Sequence, residues 1–145
     1  MTAKQYKDIV YKVIGAAMEV HSELKWGLLE PVYNEALCVE LKARGIEYER
    51  EIEIPCYYKN HKLEKKYRMD IVVGDVILEL KSVSEIIPEH RAQIMNYLRL
   101  TKKSIGIIIN FGATHLQGER YYYDHISNSC YLIDKNMEII EEEDE

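Results

Sequence analysis

Apolar residues recur every three or four positions over residues 4–24, where Tyr6, Ile9, Val10, Val13, Ala17, Val20 and Leu24 fall on one side of a helix. Gly27 breaks the pattern, which resumes over 29–44 as a stripe of Glu30, Tyr33, Leu37 and Leu41. Pro31 is tolerated in a first helical turn, and Gly45 stands where a helix would end. From Ile46 the period shortens. Residues 48–54 alternate over their latter part and extend through Tyr58 to a turn at Lys59-Asn60-His61. Residues 67–81 read as a hairpin turning at Gly74-Asp75, and Pro88 opens a third helix over 88–100. Ile105-Gly106-Ile107-Ile108-Ile109-Asn110-Phe111 is a continuous apolar run, suited to a central strand buried on both faces. Tyr121-Tyr122-Tyr123 and Tyr131-Leu132-Ile133 read as later strands. The order α-α-β-β-β-α-β predicts an α/β fold, a mixed β-sheet flanked by helices, with the buried strand returning after a helical crossover.

The hairpin carries the candidate chemistry. A two-residue turn with Gly first suits type II′ and pairs Val73 with Val76, Val72 with Ile77, Ile71 with Leu78 and Asp70 with Glu79. One face then holds Met69, Ile71, Val73, Val76, Leu78 and Leu80, all apolar, and should be core. The other holds Arg68, Asp70, Glu79 and Lys81, with Val72 and Ile77 nearer the turn. Directly opposed residues have Cβ atoms roughly 4.5–5.5 Å apart, and like charges there destabilise the pair. Two carboxylates so placed need a cation, a shared proton or solvent. A divalent metal beside a lysine gives the arrangement a purpose.

Composition bounds the rest. At 145 residues, with 47% hydrophobic and 30% charged residues, the chain reads as one globular domain over 1–140 with an acidic tail at 141–145. Its apolar runs are too short to span a bilayer, so no membrane is expected. Three cysteines without C-x-x-C spacing indicate neither a disulfide framework nor a zinc site, and point to a cytoplasmic home. The net charge of −6 argues against nucleic acid only until the five terminal acids are set aside, which leaves a nearly neutral body. Positive charge is locally dense: Lys59, Lys62, Lys65, Lys66 and Arg68 accompany one acid, Glu64.

Asp70 followed by Glu79-x-Lys81 on a hairpin between helices resembles the PD-(D/E)XK nuclease superfamily, with its restriction-endonuclease-like core. More narrowly, Gly27-Leu28-Leu29-Glu30-Pro31-Val32-Tyr33 resembles the G-x-x-E-x-x-Y signature of its GxxExxY proteins. The likeness extends over residues 21–112 and includes Tyr67-Arg68-Met69-Asp70, Gln93-x-x-x-Tyr97 and Ile109-Asn110-Phe111-Gly112. Met69 stands where the superfamily name has proline, and Trp26 where family members carry proline before the signature glycine. The resemblance implies a metal-dependent nuclease acting on nucleic acid, DNA ahead of RNA. Asp70, Glu79, Glu30 and the Leu80 carbonyl would hold Mg²⁺ or Mn²⁺, which prefers oxygen ligands. Lys81 would serve the attacking water and the transition state, with Gln93 and Tyr97 supporting it. A homodimer would enlarge the binding surface, although the sequence specifies no interface.

Plainer explanations stand beside these. Glu79 and Lys81 would also suit exposed cross-strand ion pairs, worth about 0–1 kcal/mol. Glu30 would complement a helix N-terminus, contributing about 0.3–1 kcal/mol. Tyr33 fits a core position, Gln93 a solvated or capping one, and His21 and His90 suit packing or surface positions. The basic run is equally a solvated hairpin or a phosphate-tracking edge. The tyrosine triplet suits alternating burial better than base stacking. The alternative to an enzyme is a nuclease-fold module that binds nucleic acid or a protein partner with little catalysis.

Overall fold

A computed structural model describes residues 1–140, so the expected acidic tail lies outside the described residues. Helix α1 (Ala3–Leu24) is followed by α2 (Glu30–Ala43). Three strands come next: β1 (Glu49–Tyr58), β2 (His61–Val73) and β3 (Val76–Lys81). Helix α3 (Pro88–Thr101) then leads to β4 (Ile105–Asn110), β5 (Gln117–Asp124) and β6 (Ser129–Ile133). The six strands form one sheet in chain order. Only β3 and β4 run parallel, and α3 is the crossover between them. The mixed α/β sheet expected from the sequence is therefore present. Among the described residues no helix is long and apolar enough to cross a membrane.

Local chemistry sets the helix ends. Thr2 and Gln5 form a reciprocal capping box at the start of α1. Pro31 and Pro88 occupy first turns, where no intrahelical N–H is required. Gly45 takes φ +71° just beyond the end of α2.

Strand alternation divides the core into two layers. Ile71, Val73, Val76, Leu78 and Leu80 join Ile105, Ile107 and Ile109 beneath α1 and α2. Val72, Ile77 and Ile108 pack with Ile94, Tyr97 and Leu98 of α3 on the opposite face. Every residue of β4 is buried, as a strand covered on both faces requires. The tyrosine triplet alternates as expected: Tyr121 and Tyr123 join the α3 layer, and Tyr122 packs against the other.

The β2–β3 register matches the sequence expectation from Val73↔Val76 to Ile71↔Leu78 and then stops. Gly74 takes φ +58°, whereas Asp75 is absent from the positive-φ residues, consistent with a type II′ turn. Asp70 and Glu79, expected to be ladder partners, lie where the strands have parted. Met69 also departs from the expectation: it joins the α3 layer rather than the face of Ile71. This change of side falls where Glu51, on the neighbouring strand, takes φ +53° and interrupts regular extended backbone. Beyond this point β1 and β2 pair with one another out to Tyr58↔His61, forming a two-stranded ribbon.

The end of β3 is fixed from β4. Phe111 N–H donates to the Lys81 carbonyl at 2.8 Å. The buried Asn110 side chain accepts from Val83 N–H at 3.0 Å and donates to the Val83 carbonyl at 2.9 Å. Its Oδ1 also accepts from Gly112 N–H at 3.0 Å. A Cβ on Gly112 would collide with the Val83 backbone, so only glycine permits this approach. Gly112→Ala should therefore cost on the order of 2 kcal/mol or more in urea unfolding. An unchanged unfolding midpoint would show that this clamp does not carry the strand end.

Candidate active site

The parting of β2 from β3 leaves the Leu80 N–H without a ladder carbonyl, and the Asp70 carboxylate takes its place. Asp70 Oδ2 accepts from Leu80 N–H at 2.8 Å. In an antiparallel ladder a residue's N–H and C=O serve the same neighbouring strand, so the Leu80 carbonyl leaves β3 on that side too. Glu79, one residue back, is 3% exposed and faces the α3 layer. Its Oε2 is buried without a hydrogen-bond partner among the described residues. An exposed ion pair is thus excluded for Glu79.

Lys81 ends the same strand. Its Nζ donates to Gln93 Oε1 at 2.9 Å, and Gln93 Nε2 donates to Tyr97 Oη at 2.8 Å. The i, i+4 spacing on α3 makes this relay possible. Tyr97, expected to support Lys81, stands one hydrogen bond behind the amine, with Gln93 between. Lys81 makes no ion pair with a carboxylate among the described residues.

Glu30 reaches the same region from the start of α2. Gly27, at φ +97°, turns the chain between the two helices. Tyr33, fully buried, holds that turn: its hydroxyl donates to the Lys25 carbonyl at 2.6 Å and accepts from Leu28 N–H at 3.1 Å. Its ring stacks on Phe111 at 4.7 Å. The spacing of Gly27, Glu30 and Tyr33 thus has a physical meaning, since the glycine turns, the tyrosine pins and the glutamate is presented. Ser82 Oγ donates to the Leu28 carbonyl at 2.5 Å, tying the loop to the segment after Lys81.

The comparisons with known proteins identify the superfamily and the fold. A model of the PD-(D/E)XK nuclease superfamily matches residues 7–121. This chain belongs to that superfamily. A search of curated proteins found no significant match. Among solved structures, "Crystal structure of SSO0001" aligns with TM-score 0.52 and 17% identity, a likeness of fold alone. The alignment spans 81% of this chain but 60% of that one, so this chain covers less than two thirds of the other's length.

Nucleases of the PD-(D/E)XK superfamily typically use divalent metals, and the donor chemistry here fits one. Burial first, then the nearby Asp70 carboxylate, pushes the Glu79 carboxyl up to about 10. Such a group holds a proton until a cation replaces it. Burial and then the Asp70 charge raise Glu30, and Lys81 partly offsets both. The carboxylates therefore sense one another and the lysine. They do not form a ready-made cage: no three His, Cys, Asp or Glu side chains cluster for a metal among the described residues. Burial and then the Glu79 charge push the Tyr97 hydroxyl up to about 12, keeping it a neutral hydrogen-bonding group.

Two histidines stand apart from the acids. His21 Nε2 lies 2.9 Å from the Ala113 carbonyl, and His90 Nδ1 accepts from Ile87 N–H at 3.2 Å. One supporting group escaped the sequence reading. Arg91 grips Glu119 with two nitrogens at 2.9 Å each, and the Tyr121 hydroxyl donates to the same carboxylate at 2.5 Å. This bond anchors α3 to β5 just before Gln93. An arginine and a glutamate 28 positions apart give no local signal of their pairing.

The raised Glu79 carboxyl has a defined consequence for stability without metal. Between its ordinary 4.5 and about 10, the unfolded chain releases a proton that the folded chain keeps. Its contribution is full below the lower value and is lost as pH rises, by at most about 1.4 kcal/mol per pH unit. Glu79→Gln should flatten that slope and raise metal-free stability near neutral pH, measured by urea unfolding in chelator. Parallel profiles for the two proteins would contradict it.

Proposed function

We propose that this protein is a metal-dependent nuclease of the GxxExxY kind, hydrolysing phosphodiester bonds in DNA ahead of RNA. The observation that carries the reading is the unpartnered, buried Glu79 Oε2 beside the Asp70 carboxylate. A buried carboxylate oxygen without a donor is costly unless protonated or bound to a cation. Asp70 and Glu79 would hold Mg²⁺ or Mn²⁺, with the Leu80 carbonyl as a third oxygen and Glu30 as an outer carboxylate. Bound there, the ion would polarise a phosphoryl oxygen and acidify a water.

The chain's own groups supply the rest. Lys81 commits one N–H to Gln93, which leaves two for a water or a phosphoryl oxygen. Gln93 holds the amine in place, and Tyr97 fixes which way the Gln93 amide faces. A fixed positive charge beside the phosphate opposes the negative charge that builds during attack. The cytoplasm suits this work, since all three cysteines are free.

The second reading, a nuclease-fold binding module without efficient turnover, draws on the absence of a three-ligand cluster among the described residues. Point variants separate the two. Lys81→Ala and Asp70→Asn should each lower Mg²⁺-dependent DNA cleavage by about 10²–10⁴-fold, as for loss of a positioned acid–base group. Gel-resolved cleavage of a labelled duplex would measure this. Cleavage untouched by either change would remove both residues from the chemistry, and no cleavage by the wild-type protein would favour the module.

A further inference from the structure

The ribbon formed by the outer parts of β1 and β2 stands beyond the rest of the sheet. Its base is fixed: Ile54 and Met69 are buried in the α3 layer, and the Tyr67 ring lies 5.9 Å from that of Tyr97. Its outer part is not covered, since every residue over 57–68 is exposed. At about 3.3 Å per residue, the ribbon extends roughly 15 Å past Ile54.

Charge on this arm is one-sided. Lys66 and Arg68 pair near the base with Glu53 at 3.1 Å and Glu51 at 3.5 Å. Lys59, Lys62 and Lys65 have no carboxylate partner among the described residues. Glu64 is the single acid between Pro55 and Lys66. Two of the lysines lean on tyrosine rings, Lys59 over Tyr58 at 5.5 Å and Lys65 over Tyr67 at 5.7 Å. Those contacts limit the freedom of long side chains that would otherwise be ordered only on binding. A solvated hairpin needs neither an uncompensated cluster nor exposed tyrosines.

We propose that this ribbon is a DNA-gripping arm, lying in the major groove of B-form duplex, where Lys59, Lys62 and Lys65 contact backbone phosphates. The proposal rests on the nuclease reading for its partner and adds the form of nucleic acid recognised. A two-stranded ribbon fits the major groove of B-DNA, whereas the major groove of A-form RNA is too deep and narrow for side chains to read. The arm's reach corresponds to about four base pairs, at two phosphates per roughly 3.4 Å of axis. Because Tyr67 meets Tyr97 at the base, the arm is rooted next to the Tyr97–Gln93 relay behind Lys81.

Salt-dependent binding tests this directly. In a Lys81→Ala background, where cleavage is silenced, anisotropy of a labelled 20-base-pair DNA would be followed across salt concentrations. The added triple change Lys59→Gln, Lys62→Gln and Lys65→Gln should weaken binding at least tenfold at low salt. It should also make the log K against log salt slope shallower by about 2–3, at roughly 0.9 per lost phosphate contact. The corresponding triple change to arginine should restore the slope, which excludes misfolding as the cause. An unchanged slope, or an equal loss on an RNA duplex of the same length, would overturn the proposal. Wild-type cleavage in Mg²⁺ is scored separately. Cutting with an unmoved slope removes the arm and keeps the hydrolase, whereas a moved slope without cutting does the reverse.

Discussion

A carboxyl group, Glu79, is buried beside a second one, the part-buried Asp70, and this constraint organises the rest of the site. Asp70 has one backbone donor, the Leu80 N–H, and Glu79 has an oxygen with none among the described residues. Desolvation and the neighbouring Asp70 charge leave Glu79 two stable conditions, a bound proton or a bound cation. Separate ionised carboxylates would oppose folding. The ladder between β2 and β3 ends one pair short of these acids, which frees the Leu80 peptide for the Asp70 side chain.

The architecture around the pair brings groups from four elements into one region. The parallel pairing of β3 with β4 brings Asn110 beside Lys81, and the Asn110 side chain clamps the chain that leaves the strand. Helix α3 crosses the opposite face of the sheet from α1 and α2 and presents Gln93 to the amine. Its hold on β5 through Arg91 and Glu119 supports that position. Tyr33 does the same for Glu30 by closing the turn before α2. The candidate reactive groups are few, and the hydrogen bonds around them orient side chains.

Much of this was legible in the chain itself. Helical periodicity located α1, α2 and α3 to within a residue or two at each end, because their apolar stripes and flanking Pro and Gly act locally. The Gly74-Asp75 turn determined the hairpin register, since its length allows few alternatives. The candidate acids and lysine followed from that register together with the family resemblance. What escaped was non-local. The parting of β2 from β3 and the displaced Met69 fall where Glu51 of the neighbouring strand leaves regular extended backbone, which no local pattern signals. The position of Tyr97 behind Gln93, and the Arg91–Glu119 bond, need the third dimension. Glu30 was visible only as a motif letter, and the tyrosine that presents it read as core, which it also is.

The decisive question for the site is whether Glu79, beside Asp70, takes a cation in place of its proton. A crystal soaked in Mn²⁺ and measured at the manganese absorption edge would show it. We expect an anomalous peak within about 2.0–2.4 Å of oxygens from both Asp70 and Glu79, as hard-cation coordination requires. Soaked crystals with no peak there would contradict it.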